Sequence, residues 1–160
     1  MNTQARAFVL GMGLTVLGVT WSLGEAGVRA TGVAVTRSEP ELFSRYCEPF
    51  VCPGPVTEPE RALDLLRAAG DKLDRPAVPL PARDAFALIL SRNRTELGRC
   101  FAFALPASIA SAALVDKWLH HQLAERTGSP CSRAVYPGSL AGLSRIRHET
   151  DDYVIDAPIM

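Results

Sequence analysis

Ala7–Gly24, AFVLGMGLTVLGVTWSLG, is the stretch on which the reading of this chain turns. It contains no charge, and only Arg6 stands between it and the residues Met1–Ala5. Taken as one helix, about 18 such residues rise roughly 27 Å, close to the thickness of a hydrocarbon core. A helix packed on a globular core shows a polar face, and none is visible here. The run therefore reads as an amino-terminal hydrophobic helix, either a cleaved signal peptide or a retained signal anchor. Small residues beyond it favour cleavage, with Val28-Arg29-Ala30 before Thr31 the better site and Ala26 a weaker one, whereas its length favours retention. Arg6 before the run and Glu25, Arg29 and Arg37 after it are too evenly set to orient it, so its terminal position sends the rest of the chain outward. No Cys lies near the run and no Arg-Arg pair precedes it, which removes the lipoprotein and twin-arginine forms of export. The expected localisation is extracytoplasmic, anchored in the inner or plasma membrane through residues 7–24 or secreted after cleavage near Ala30.

Around this run, 160 residues with 48% hydrophobic and 21% charged side chains make one modest domain and exclude intrinsic disorder. Seventeen basic residues balance 17 acidic ones, so the total charge points to no strongly charged partner and nucleic acid is not expected. The charges are unevenly placed: the proline-rich section is mildly acidic, the section after it basic and the tail acidic, and the basic section can neutralise the tail within one molecule.

All four cysteines, Cys47, Cys52, Cys100 and Cys131, follow the apolar run. An even number beyond an export signal predicts two disulfides. Connectivity stays open, although Pro49 and Phe50 between Cys47 and Cys52 favour bridges from each to Cys100 or Cys131. A zinc site needs close ligand pairs, and the Cys47/Cys52 pair has no second pair to match it. Neither a Cys-x-x-Cys string nor its haem-attaching form occurs. No metal and no cofactor is expected.

Helical signals dominate the remainder. Residues 31–56 form a proline-rich lead-in carrying Cys47 and Cys52, with Ser38-Glu39-Pro40-Glu41 opening a short helix and Pro49–Pro55 a rigid loop. Thr57 and Glu60 make a capping box, and Ala62, Leu63, Leu66, Ala69 and Leu73 recur at helical spacing, predicting a helix to about Asp74. Pro76, Pro79 and Pro81 impose an extended connector, after which Ala85–Leu90 and a shorter segment from Thr95 read as helices. Ser108 caps the best-marked helix, which Gly128 and Pro130 end. The uncharged run Cys100–Val115 is too short, and too broken by Pro106, to span a membrane. Asp152–Asp156 reads as a lone strand able to pair with Gly32–Thr36. The expected fold class is mainly α: four to five short helices, with one two-stranded pairing of the ends, behind the hydrophobic helix. Its divisions are 1–30 for the signal or anchor, 31–56 for the lead-in, 57–147 for the helical domain and 148–160 for an acidic tail with a short strand.

Catalytic strings are scarce. Asp116 precedes His120 by four residues and Glu125 follows His121 by four, so a carboxylate can orient either imidazole. Adjacent histidines lie about 100° apart on a helix and do not chelate together, and a solvated helix end accounts for all four residues. Gly138–Gly142 misplaces its serine for a nucleophile elbow, and Lys117 has no serine three residues before it. No Gly-rich phosphate loop, calcium loop or His-Glu-x-x-His string is apparent. Glu149, Asp151 and Asp152 lack the ordered spacing of a calcium site, and Asn93-Arg94-Thr95 fits the N-glycosylation pattern. The expected function is that of an exported or membrane-tethered helical interaction or accessory protein of the cell envelope, acting on an unidentified protein partner. The alternative is an extracytoplasmic enzyme using His120 or His121 with Asp116 or Glu125, or a thiol-redox protein using Cys47 or Cys52. A third class, a cytosolic helical protein whose thiols bind metal, predicts free cysteines.

Overall fold

The uncharged run does not form a single helix. In the computed structural model, which describes residues 6–11, 13–106, 108–131 and 139, the run divides into strand β1 (Arg6–Leu10), a turn through Gly11 and Gly13, and helix α1 (Leu14–Glu25). β1 lies inside a four-stranded sheet of order β3-β2-β1-β4, with β2 at Arg29–Ala34, β3 at Cys47–Val51 and β4 at Val78–Pro81. All pairings are parallel, and Val9 stands opposite Gly32 on one side and Leu80 on the other.

A parallel strand covered on both faces is apolar at every position, which is why its sequence imitates a membrane segment. Phe8 and Leu10 enter one core with Leu63 and Leu66 of α2 (Pro59–Gly70), Phe86 and Leu90 of α3 (Asp84–Arg92), Leu97 and Phe101. Val9 enters a second, smaller core with Val16 of α1 and Ala30. α1 buries only Val16 and Thr20, and its outer side shows Leu14 and Trp21 to solvent. Cleavage near Ala30 would remove β1 and α1 and cut β2. Among the described residues no helix is long and apolar enough to cross a membrane. The signal, anchor and extracytoplasmic expectations for residues 1–30 are therefore corrected, and so is membrane attachment through 7–24.

The prolines mark the sheet edges. Successive N–H groups of a strand point to opposite sides. Ala82 N–H donates inward to the Leu10 carbonyl and Ala77 N–H outward to the Cys100 carbonyl, so Pro79 and Pro81 fall at the outward positions of β4. Cys52 N–H likewise bonds inward to Ala34, leaving Pro49 and Pro53 at outward positions along β3. A proline there gives up a donor that no strand would have used, and it blunts the edge against further pairing.

The expected mainly helical class is thus replaced by an α/β fold. α2 lies where its spacing predicts, but Glu58 occupies the cap position, and Thr57 Oγ1 donates instead to the Gly54 carbonyl at 3.0 Å. α4 (Arg94–Leu97) follows α3 after Asn93. Gly32–Ala34 pairs with β1 and β3, and Asp152–Asp156, with the rest of 140–160, lies outside the described residues.

The chain divides into two units, Met1–Ser108 and Ile109–Met160. In the second, the helix expected from Ser108 to Gly128 is two helices, α5 (Ser108–Val115) and α6 (Lys117–Thr127). Asp116 separates them, because its extended backbone and its carboxylate start a new helix.

Candidate functional site

From β1 the chain adds β2 and β3 on one side, then crosses to place β4 on the other. The direction of winding therefore changes between β1 and β4, and in open parallel sheets the crevice beyond the carboxyl ends of such strands is where ligands bind. Gly11 and Gly13 form the turn at this point. A side chain at Gly11 would place its Cβ 3.0 Å from Ala82 Cβ and 3.3 Å from Arg83 Cγ, so only glycine lets β1 and the end of β4 approach. Gly13 has φ +76°, a conformation glycine enters without strain. Gly11 N–H bonds the Val33 carbonyl at 3.0 Å and Ala82 N–H the Leu10 carbonyl at 2.7 Å, fastening the three strand ends together.

Helix α1 has no side-chain cap of its own. Its anion arrives from Glu41, on the short 3-10 turn Pro40–Phe43, whose Oε1 accepts from Gly13 N–H at 2.8 Å. A carboxylate at this end is favoured by the helix dipole and occupies the place where an anionic ligand would dock. Glu41 is fully buried, at 0% exposure, and its Oε2 is enclosed without a hydrogen-bond partner among the described residues. An enclosed acceptor left unpaired costs about 1–3 kcal/mol. The other two such atoms, Arg6 Nε and Arg67 Nε, belong to guanidinium groups that bond carboxylates elsewhere. Arg83 precedes α3 on the opposite side of the turn, is exposed, and makes no ion pair among the described residues.

The amino-terminal end of the sheet is different. Glu48 takes Arg6 and Arg29 together. Burial alone would raise its carboxyl pKa, but the hydrogen bonds from Arg29 and Arg6 prevail and hold it below the usual range. An open groove of about 310 Å³ runs beside it, lined by Gly24, Arg29, Arg45, Tyr46 and Glu48 among others. Arg45 lies over the Tyr46 ring at 4.6 Å. Glu48 is thus shared by two guanidinium groups, and Arg45 has only Tyr46 as a partner among the described residues, so this groove carries net positive charge. The turn at the carboxyl end of β1 is the candidate site because the winding changes direction there.

The residues singled out in the sequence lie elsewhere. Asp116 accepts from Trp118 N–H and Leu119 N–H at 2.9 and 3.0 Å, so it caps α6 rather than orienting His120, which is exposed. His121 is buried, with Nε2 3.4 Å from Glu125 Oε1 and Nδ1 3.6 Å from Cys131 Sγ. No group of three metal-ligating side chains occurs among the described residues. Glu149, Asp151 and Asp152 lie outside them, as does Gly138–Gly142 apart from Ser139.

The expected disulfides are absent: Cys47, Cys52, Cys100 and Cys131 are all free. Cys47 and Cys52 sit at the two ends of β3 and its exit, about 16 Å apart at strand spacing, far beyond disulfide reach. Burial pushes the Cys52 thiol up to about 11 and also raises Cys47, which the nearby Glu41 and Glu48 charges raise further against a Gly32 backbone hydrogen bond that lowers it. At pH 8 only about one Cys52 in a thousand is thiolate, so it reacts slowly even when reached. Alkylation of the unreduced, unfolded protein is expected to label four thiols; in the folded protein exposed Cys131 labels first and Cys52 last. Mass spectrometry against time checks the order, and early labelling of Cys52 would contradict it.

The signal that the sequence hides is Gly11-x-Gly13 between a strand and a helix, because the whole uncharged run fits a single helix. It departs from the dinucleotide fingerprint, since Val16, fully buried, stands where a third glycine is required.

No family model matches the sequence, and no curated protein matches it. Solved structures do resemble the fold. An L-amino acid ligase from Bacillus licheniformis superposes with TM-score 0.62 at 12% identity, covering 86% of this chain and 36% of that one. An N5-carboxyaminoimidazole ribonucleotide synthetase from Thermotoga maritima also gives 0.62, at 14% identity, covering 92% of this chain and 37% of that one. The chain thus spans little more than a third of the length of either enzyme. With the parallel sheet, this likeness overturns the expected envelope accessory protein. The alternatives built on His120, His121 or the thiols do not fit it either. What the chain shares with the two ligases is an α/β fold extending over most of its own length.

Proposed function

We propose that this chain supplies one α/β lobe of an ATP-consuming ligase of the ATP-grasp type, which joins a carboxylate to an amine nitrogen. The observation that supports this reading is the change of winding at the Gly11–Gly13 turn, with Glu41 bonded to Gly13 and Arg83 beside Gly11, in a fold resembling that of an L-amino acid ligase and a ribonucleotide synthetase. Brought to this chain, the ligase and synthetase names imply a carboxyl group activated for attack by nitrogen. The lobe's part in that reaction is to hold one of the two joined molecules, because fixing both reactants converts a bimolecular encounter into a unimolecular one. No described residue is assigned to ATP. The α1 N-terminus in particular is filled by Glu41, and a phosphate there would meet its negative charge.

The test is phosphate release from ATP by the protein as its host makes it, assayed with carboxylic acids and amines singly and in pairs. Release that requires both a carboxylate and an amine is expected, with a matching amide or carbamate product by mass spectrometry. Turnover indifferent to the amine, or none with any pair, would overturn the reading.

A further inference from the structure

We infer that the groove at the amino ends of β2 and β3 binds a phosphate group, free or carried as the monoester of a small molecule, through Arg29, Arg45 and the Tyr46 hydroxyl. The strands run parallel, so this groove and the Gly11–Gly13 turn lie at opposite ends of the sheet, separated by the length of β2, about 16 Å. A ligand held here takes no part in the reaction proposed above, and the outcome of the ligase assay does not bear on it.

The groove, of about 310 Å³, has room for a phosphate group and a short organic remainder. Glu48 is the one carboxylate among its lining residues, against Arg29 and Arg45, and Glu41 is enclosed and does not line it. Arg29 and Arg6 both bond Glu48, so three guanidinium groups meet one carboxylate and two positive charges are left over. Donors are left over too. Arg29 gives Nε and Nη2 to Glu48, and its Nη1 has no partner among the described residues. Arg45 donates there only from Nη2, to the Tyr46 oxygen at 2.6 Å, and that hydroxyl keeps its own proton to donate. Forked donors suit the several oxygens of a phosphate, and its two charges cancel the local excess, of which a monocarboxylate cancels half.

These donors are positioned before a ligand arrives. The Tyr46 ring lies so close to α1 that a Cβ at Gly24 would collide with its ring carbons, and the Arg45 guanidinium sits over the ring at 4.6 Å. Glu48 holds Arg29. The carboxyl end of α1, whose open carbonyls would repel an anion, is closed by its own loop: Ala26, Gly27 and Val28 N–H donate to the Ser22, Gly24 and Leu23 carbonyls, with Gly27 at φ +75°.

The experiment titrates the folded full chain, at about pH 8 where a phosphate monoester carries two charges, with glycerol 3-phosphate, inorganic phosphate, acetate and glycerol. It follows the amide resonances of Gly27, Tyr46 and Glu48, with Gly13 as the remote reference. Both phosphates are expected to shift the groove amides saturably and to leave Gly13 in place, acetate to bind more weakly than either, and glycerol to shift nothing. Tighter binding of glycerol 3-phosphate assigns the site to a phosphorylated small molecule, and tighter binding of inorganic phosphate to the free ion; either supports the inference. Arg45→Gln, at an exposed position, should weaken phosphate about fivefold, and Arg45→Lys, which keeps the charge without the fork, by less. Gly24→Ala should weaken it without removing any charge, by displacing the Tyr46 ring. If Gly24→Ala fails to fold, the arginine variants still decide. Acetate binding as tightly as phosphate, unaltered phosphate affinity in both Arg45→Gln and Arg29→Gln, or no saturable shift of the groove amides would overturn the inference.

Discussion

Val9→Asp is expected to abolish the cooperative unfolding transition of this protein, while Leu14→Gln, five residues further along the same apolar run, leaves it in place. Val9 has 0% exposure in the interior of the sheet, with Gly32 and Leu80 beside it and Val16 and Ala30 above it. A carboxylate there finds no donor, because every neighbouring N–H already serves the sheet, and an unpaired buried charge costs several kcal/mol. The stability of a whole domain is only about 5–15 kcal/mol. Leu14 is 82% exposed at the start of α1, and its replacement should fall within about 0.5 kcal/mol of the parent. As a single membrane helix the run would make both positions equally intolerant of a polar side chain. Thermal melts followed by circular dichroism decide the matter, and a folded Val9→Asp with a sharp transition would refute the placement of β1.

Phe86→Ala should remove about 3–5 kcal/mol, or lower the melting temperature by roughly 15 °C or more for a unit of this size. Among the described residues Phe86 is the largest fully buried side chain, and it belongs to the core that joins β1, α2 and α3. The ring faces there are already engaged: Phe8 meets Phe101 edge to face at 5.2 Å and Phe50 at 6.5 Å. Neighbours so packed cannot collapse fully into the space an alanine would leave. Phe43→Ala, at a residue 78% exposed, is the control and should change little. Urea unfolding with an unchanged slope and a lower midpoint is the expected result. A loss below about 1 kcal/mol would mean that this core closes over the gap.

The free thiols show how one misread element spreads. Four cysteines behind an export signal imply disulfides, but the same four in a domain without that signal are ordinary small apolar residues. Cys52 illustrates this, buried among Ala62 and its core neighbours with Sγ 3.7 Å from the Ala62 carbonyl. Glu41 escaped notice for the opposite reason. It is an unremarkable acidic residue in a proline-rich stretch, and only folding brings it 28 positions back to Gly13.

By itself the sequence determined the helices whose apolar residues recur at three and four, α2 above all, and their ends at Gly128 and the prolines. Those signals are local, because a helix closes its hydrogen bonds within itself. It also determined that residues 7–10 are apolar throughout, but not what they form. An unbroken apolar run is common to a lipid-facing helix and to a parallel strand covered on both faces, and periodicity does not separate them. Only the tertiary structure decided for the strand, because its hydrogen bonds are made to β2 and β4, which lie 20 and more residues away in the chain. The same long-range folding brought Glu41 to Gly13 and Arg83 to Gly11, juxtapositions that no local pattern encodes.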